Sequence, residues 1–199
     1  MPEPKFRLFA RPNASGKTHV FQKFRDAGYI HTEIYVNADK IQEELSRKRK
    51  FSFNAYRVKA NDAEFKQYKL FATGQSFAFE TVMSHKSKVE MLKMASKSGY
   101  KTYFYFIFTD SPTTNLARVR LRVNAGGHNV SDQIILDRIP RTFALLPAAF
   151  RLADCSYIID NSIDARLIIK KENGELTLLP PYPKNISKQI NKIIDRRKN

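Results

Sequence analysis

The sequence predicts an α/β fold built on a mainly parallel sheet, and three observations predict it. Short apolar runs at residues 5–10, 33–36, 76–82, 103–108 and 155–160 alternate with segments of helical spacing. Tyr103-Phe104-Tyr105-Phe106-Ile107-Phe108 is almost continuously apolar, as a strand covered on both faces must be. Gly16-Lys17-Thr18 follows the first run through a turn of small residues and opens a helical segment. That layout sets backbone N–H groups and a helix N-terminus around an anion. At 199 residues the chain can bury one sizeable core and is short for two, so residues 1–199 read as a single domain.

The elements follow in order. Residues 5–10 form a buried strand, and 17–27 a helix with Val20, Phe21 and Phe24 on one face and Gly28 closing it. Glu33–Val36 is the second strand; it leads through Asn37-Ala38-Asp39 into a helix from Lys40 to about Leu45. Asp39 therefore falls where a strand's carboxyl end meets a helix N-terminus, the place where open α/β sheets hold ligands, although an Asp there also serves as a helix cap. Arg47-Lys48-Arg49-Lys50 is a basic loop, and a helix over 60–73 ends at Gly74. The third strand, 76–82, carries Glu80 near its carboxyl end. A carboxylate inside an apolar strand needs a partner such as Mg²⁺, Arg or a ligand hydroxyl.

A helix over 84–97 carries Val89, Met91, Leu92 and Met94, and 103–108 is the fourth strand. Pro112 opens a helix that runs to Asn124, where Gly126-Gly127 break it. Ser131 caps the next helix, which Pro140 should kink or break. Arg118 and Arg122 are i,i+4 neighbours, Arg120 points elsewhere, and Arg138 and Arg141 follow on the second helix. Two arginine-bearing helices on a Gly-Gly hinge, about 112–141, read either as a lid over phosphates or as solvated helices. Residues 155–160 are the fifth strand. Residues 166–179 read as a hairpin turned by Asn173-Gly174, extending or flanking the sheet. Ile186, Ile190, Ile193 and Ile194 make 185–198 an amphipathic helix.

Composition narrows the chemistry. The single cysteine, Cys155, forbids an intrachain disulfide and a thiol metal cluster, and the four histidines show no zinc-ligand spacing. No apolar run approaches the ~18 residues of a membrane span and nothing reads as a signal peptide, so a cytoplasmic protein without a membrane partner is expected. The net charge of +16 suits a polyanionic partner, whether nucleic acid, an acidic protein or a nucleotide-rich substrate; lysines on solvated faces would give the same figure.

The turn itself comprises Arg11, Pro12, Asn13, Ala14, Ser15, Gly16, Lys17 and Thr18. It matches the last half of the phosphate-binding pattern G-x-x-x-x-G-K-[ST], in which Lys17 reaches the outer phosphates and Thr18 holds Mg²⁺. Arg11 stands where the first Gly belongs, and a Ser-Gly helix start with an ordinary surface Lys would read the same from the loop alone.

The flanks decide. Ala10–Thr18, Val36-Asn37-Ala38-Asp39, Phe79-Glu80-Thr81-Val82 and Arg118-Val-x-x-Arg122-Val-x-x-Gly-Gly-His-x-Val occur in order, followed by Arg138-x-x-Arg141, Leu152-Ala153-Asp154 and Asp160-Asn161-Ser162. With these the chain resembles the zeta-toxin kinase family, over about residues 5–165. Together with the strand–helix alternation, this resemblance makes the expected fold a three-layer P-loop NTPase-like one, with a mainly parallel five-stranded sheet and a helical lid, to which the residues add the C-terminal hairpin and helix. It implies ATP- (or GTP-) and Mg²⁺-dependent phosphorylation of a sugar-nucleotide hydroxyl, UDP-N-acetylglucosamine being the substrate of the best-known toxins, and an antitoxin as a partner. Carried over by motif, Lys17 and Thr18 take the phosphates and Mg²⁺, Asp39 is the general base, and Glu80 with Thr81 lies in the substrate site. Arg122, Arg138 and Arg141 are phosphate-contacting lid residues; Arg118 and Arg120 match less securely.

Arg11 and Ala14 depart from the family's glycines. A side chain at position 11 restricts φ and crowds the phosphates, while its cation offers a contact to phosphate oxygens or to a carboxylate such as Glu80 or Asp39. Obstruction with some loss of nucleotide affinity is the expected reading. Two alternatives to the small-molecule kinase stand beside it. One is a degenerate P-loop protein binding nucleic acid or an acidic partner; the other is a polynucleotide kinase.

Overall fold

Each of the five apolar runs forms a strand, and the sheet they build extends across the whole chain. A computed structural model describes residues 3–12, 15, 17–28, 30, 34–37, 69–124, 126 and 130–195, with the backbone alone for Lys17, Thr18, His19 and Arg122. In chain order the elements are β1 (Lys5–Ala10), α1 (Lys17–Asp26), β2 (Ile34–Asn37), β3 (Phe77–Thr81), α2 (Ser87–Lys97), β4 (Lys101–Phe108) and α3 (Pro112–Asn124). They continue with α4 (Asp132–Leu152), β5 (Cys155–Asp160), β6 (Arg166–Glu172), β7 (Glu175–Leu178) and α5 (Lys184–Ile194).

The strands lie in the order β2-β3-β1-β4-β5-β6-β7. The first five are parallel neighbours, and β6 and β7 add antiparallel to β5. The sheet thus has seven strands where five were expected in the core, because the hairpin extends it. Asn173 (φ 50°) and Gly174 (φ 80°) make the hairpin turn in the left-handed region, as the Asn-Gly pair predicts.

Strand alternation sorts the core into two faces. Phe6, Leu8, Phe77, Phe79, Phe104 and Phe106 point to the side covered by α2, α4 and α5. Phe9, Ala78, Tyr105 and Ile159 point to the side covered by Val20 and Phe21 of α1. Helices on both faces give the three layers the sequence implies. On the α1 side, Phe9, Tyr105 and Tyr157 stack at 4.5 and 4.8 Å, and the buried Arg7 guanidinium lies 5.2 Å from the Tyr103 ring centre.

The fourth strand begins at Lys101 where 103 was expected, and two helices differ more sharply. The helix expected from 84 begins at Ser87, because Met83 takes a left-handed φ of 55° and its N–H donates to Thr81 Oγ1, turning the chain after β3. The helix α4 is unbroken from Asp132 to Leu152, running through both Pro140 and Pro147. Buried Ile135, Phe143, Leu146, Ala149 and Phe150 fix its inner face, and that packing outweighs the lost intrahelical bonds. Pro140 and Leu136, whose carbonyl it cannot engage, are both exposed, so water can supply the missing donor. Ser131 caps this helix as predicted, accepting from the Ile134 N–H at 3.5 Å. Residues 69–73 are helical, ending at Gly74 (φ 65°); the rest of the predicted helix over 60–73, the helix over 40–45 and the basic loop at 47–50 lie outside the described residues. Among the described residues no helix is long and apolar enough to cross a membrane.

Candidate active site

The strand β1 is central, with β3 on one side and β4 on the other. From β1 the chain passes through α1 to β2 on one flank, whereas from β4 it passes through α3 and α4 to β5 on the opposite flank. Connections that diverge in this way open a crevice at the carboxyl ends of β1 and β4. Arg11, Pro12 and Ser15, which follow β1, and Lys17, the first residue of α1, lie at that crevice.

Ser15 is the fixed point of the turn. It is fully buried, its Oγ donates to the Pro12 carbonyl at 3.1 Å, and the same oxygen accepts from Asn115 Nδ2 at 3.1 Å. Its carbonyl accepts from Asn161 Nδ2 at 2.8 Å. Asn115 of α3 is itself held by Thr109, whose hydroxyl donates to Oδ1 at 2.6 Å. Asn161 is held by its own N–H, which donates to the Phe108 carbonyl at 2.8 Å. The turn is thereby gripped from α3 and from the end of β5. Asn115→Ala removes a buried partner from both Ser15 and Thr109, so a stability loss of about 1–3 kcal/mol is expected in urea unfolding, with weakened MgATP binding. Unchanged unfolding would mean that the turn holds its shape without α3.

The second feature is an acidic residue among donors. Glu80 is paired in register with Phe9 of β1 and Asn37 of β2, so its side chain shares the α1 face with both. It is 1% exposed. Its Oε2 accepts from the Tyr35 hydroxyl in a short hydrogen bond and from Asn37 Nδ2 at 3.2 Å. Its Oε1 lies 3.8 Å from Arg11 Nη2. Burial raises the Glu80 pKa from 4.5 to about 7, against the lowering influence of the Arg11 charge.

Arg11 is 4% exposed, and its N–H donates to the Thr81 carbonyl at 3.3 Å, continuing the β1–β3 pairing one residue beyond the strand. Of the two carboxylates open to it on sequence grounds, the structure puts Glu80 beside it. Thr81, expected in the substrate site, caps the turn into Met83 with its hydroxyl oxygen.

The arginines divide by partner. Arg118 donates to the carbonyls of Asn161 and Ser162 at 3.0 and 2.9 Å, locking α3 to the corner after β5. Arg120 bridges to Asp132 at 2.7 Å between the exposed faces of α3 and α4. Arg138 is half-buried and Arg141 exposed on α4. Arg122 lies on α3 with its backbone alone described. Asn13, Ala14, Gly16 and Asp39 lie outside the described residues, as do the side chains of Lys17 and Thr18. Among the described residues no group of three His, Cys, Asp or Glu side chains could hold a metal.

Sequence reasoning assigned no role to Tyr35, Asn37, Asn115 or Asn161. Asn115 carried one signal, a short polar side chain inside a helix, where it is disfavoured unless it bonds elsewhere.

No protein-family model matches the chain. A protein of Haemophilus influenzae described as uncharacterized is 28% identical over 132 residues, 64% of this chain and 87% of that protein. Among solved structures, a chain of the AvrRxo1-ORF1:-ORF2 complex with ATP matches at TM-score 0.71 and 12% identity, over 96% of this chain and 63% of that one. A chain of the PezAT chromosomal toxin-antitoxin system of Streptococcus pneumoniae matches at TM-score 0.64 and 16% identity, over 98% of this chain and 88% of that one. The fold is theirs. At these identities the likeness is one of fold alone, and it agrees with the fold that the motif order implied. A putative kinase from Chloroflexus aurantiacus shares it less fully, at TM-score 0.53 and 15% identity over 68% of this chain and 76% of that one. The chain spans 63% of the AvrRxo1 chain, which is the larger protein.

Proposed function

We propose that this protein is a P-loop phosphotransferase that moves the terminal phosphoryl group of ATP or GTP to a hydroxyl of a small molecule, a sugar nucleotide being the favoured acceptor class. The observation that carries the reading is the buried, doubly braced Ser15 turn, which sits at the carboxyl end of the central strand and opens α1 at Lys17. Such a turn fits a nucleotide triphosphate, because successive N–H groups and a helix N-terminus favour an anion there.

Lys17 would bind the outer phosphates and Thr18 would hold Mg²⁺, which supplies charge neutralisation when bound. Asp39, two residues beyond the end of β2, accepts the proton of the attacking hydroxyl; that oxygen bonds the terminal phosphorus as the bond from this phosphorus to the bridging oxygen breaks, and ADP or GDP leaves. Glu80 and Thr81 line the acceptor side. Arg122, Arg138 and Arg141 supply positive charge around the moving group from the α3–α4 lid. A partner protein of antitoxin type is part of the same reading, motivated by the toxin-antitoxin complex among the structural neighbours.

The competing reading is a non-catalytic protein that binds nucleic acid or an acidic partner, favoured by Arg11 and Ala14 in the turn and by the +16 charge. An ATP-consumption screen over sugar nucleotides, free sugars, NAD and oligonucleotides separates the two, with Lys17→Ala as blank. Consumption that depends on a sugar nucleotide and vanishes in Lys17→Ala is expected. Consumption driven by oligonucleotides would replace the acceptor class with nucleic-acid ends. Salt-sensitive oligonucleotide binding without any consumption would favour the competing reading.

A further inference from the structure

We infer that Arg11 is the buried counter-charge of Glu80, a positioning residue that ties the phosphate turn to the acceptor-side strands β2 and β3 instead of a phosphate ligand. The role assigned to those strands rests on the kinase reading above; the pairing itself does not.

The alternation of β1 explains the contact. Arg7 and Phe9 face α1, and Arg11, the next residue of that parity, continues on the same face just past the strand end. Glu80 lies across from Phe9 on the same face, and Asn37 lies across from Glu80. The guanidinium is therefore delivered to the carboxylate, 3.8 Å away, with the two side chains 4% and 0% exposed. Arg11 is enclosed in the protein.

The carboxylate gathers its partners from three strands. Oε1 faces Arg11 from the end of β1, and Oε2 takes the Tyr35 hydroxyl and Asn37 amide from β2, while Glu80 itself belongs to β3. Among the described residues, Arg11 and Tyr35 are the charged and titratable groups facing Glu80, and Asn37 is a neutral donor. The helix α1 covers this face with Val20 and Phe21, and Phe21 packs on Tyr35 at 4.2 Å. The turn, the carboxylate and the end of β2 are thus fixed to one another. Asn37 is the last residue of β2, so the ties that reach Arg11 also hold the carboxyl end of that strand. A glycine at position 11, usual in this motif, could not make this link; the arginine that departs from the pattern serves the strand beside it.

The test is a double-mutant cycle with Arg11→Met, which keeps bulk and removes charge, Glu80→Gln, and both together. Urea unfolding across pH 5–9 and MgATP calorimetry at pH 7.5 are the readouts, with Lys17→Ala as the binding blank. Arg11→Met is expected to lower the unfolding midpoint most above pH 7, where the ionised Glu80 loses its counter-charge, and the double variant to be no less stable than Arg11→Met, because the two charges act as a unit. Arg11→Met should move the pH dependence of unfolding upward, since Arg11 favours the ionised carboxylate, and the double variant should lose that movement. Arg11→Lys should restore the wild-type window. MgATP affinity should stay within about threefold in Arg11→Met, because a carboxylate rather than a phosphate is its partner.

Additive unfolding effects with an unmoved pH window overturn the pairing. A loss of roughly tenfold or more in MgATP affinity that is equal with and without the Glu80 carboxylate also overturns it, by making Arg11 a phosphate contact. If the wild-type protein bound no MgATP, the kinase reading would fail while the unfolding cycle still decided the pair. Should Arg11→Met or Glu80→Gln not fold, Arg11→Lys and Glu80→Asp carry the same cycle.

Discussion

Asp39→Asn is expected to lower phosphoryl transfer by about 10²–10⁴-fold while leaving MgATP affinity nearly intact. The carboxylate is assigned to the proton of the acceptor hydroxyl, a contact that nucleotide binding does not require. Asn keeps the size and hydrogen-bonding reach of Asp and removes the basicity, so the loss should appear in turnover at saturating nucleotide. Parallel calorimetry and rate measurements separate the alternatives. An equal loss of MgATP affinity would make Asp39 a metal ligand. A lowered unfolding midpoint with activity retained would make it a cap on the following helix, a role worth about 1 kcal/mol.

The second large effect concerns stability and pH. In the folded protein burial raises the Glu80 carboxyl from 4.5 to about 7. Between those values the folded state holds a proton that the unfolded state has released, so stability is greatest below about pH 4.5 for this group and falls as pH rises through 7. The displacement corresponds to about 3 kcal/mol at full ionisation, since one unit is worth 1.36 kcal/mol. Glu80→Gln should flatten that part of the profile. Comparing the two profiles isolates Glu80 from every other group, since all the others are common to both proteins. Coincident slopes would mean that Glu80 ionises in the fold as freely as in water.

Much of this architecture was legible because local pattern and tertiary demand agree. The five parallel strands are short and mostly apolar, and Asn173-Gly174 suits a two-residue hairpin turn whatever surrounds it. Ser131 caps its helix through a bond three residues away, well within reach of sequence reasoning. Pro140 is the counter-example: local rules end the helix there, and the buried row from Phe143 to Phe150 carries it on. The residues that brace the turn were illegible for a different reason. Asn115 and Asn161 meet Ser15 across 100 and 146 residues of chain, and no spacing rule links positions so far apart. Glu80 was conspicuous as a carboxylate in an apolar strand, and Arg11 as a side chain in place of glycine. Their proximity came from strand order, since only a sheet with β3 beside β1 sets one against the other.

The most direct measurement on the nucleotide site is calorimetric titration of ATP into the wild-type protein and into Lys17→Ala, each with and without Mg²⁺. Saturable, Mg²⁺-strengthened binding to the wild type that is lost in a folded Lys17→Ala protein is the predicted result. Equal binding by both proteins, or none by either, would contradict a phosphate-binding turn at residues 11–18.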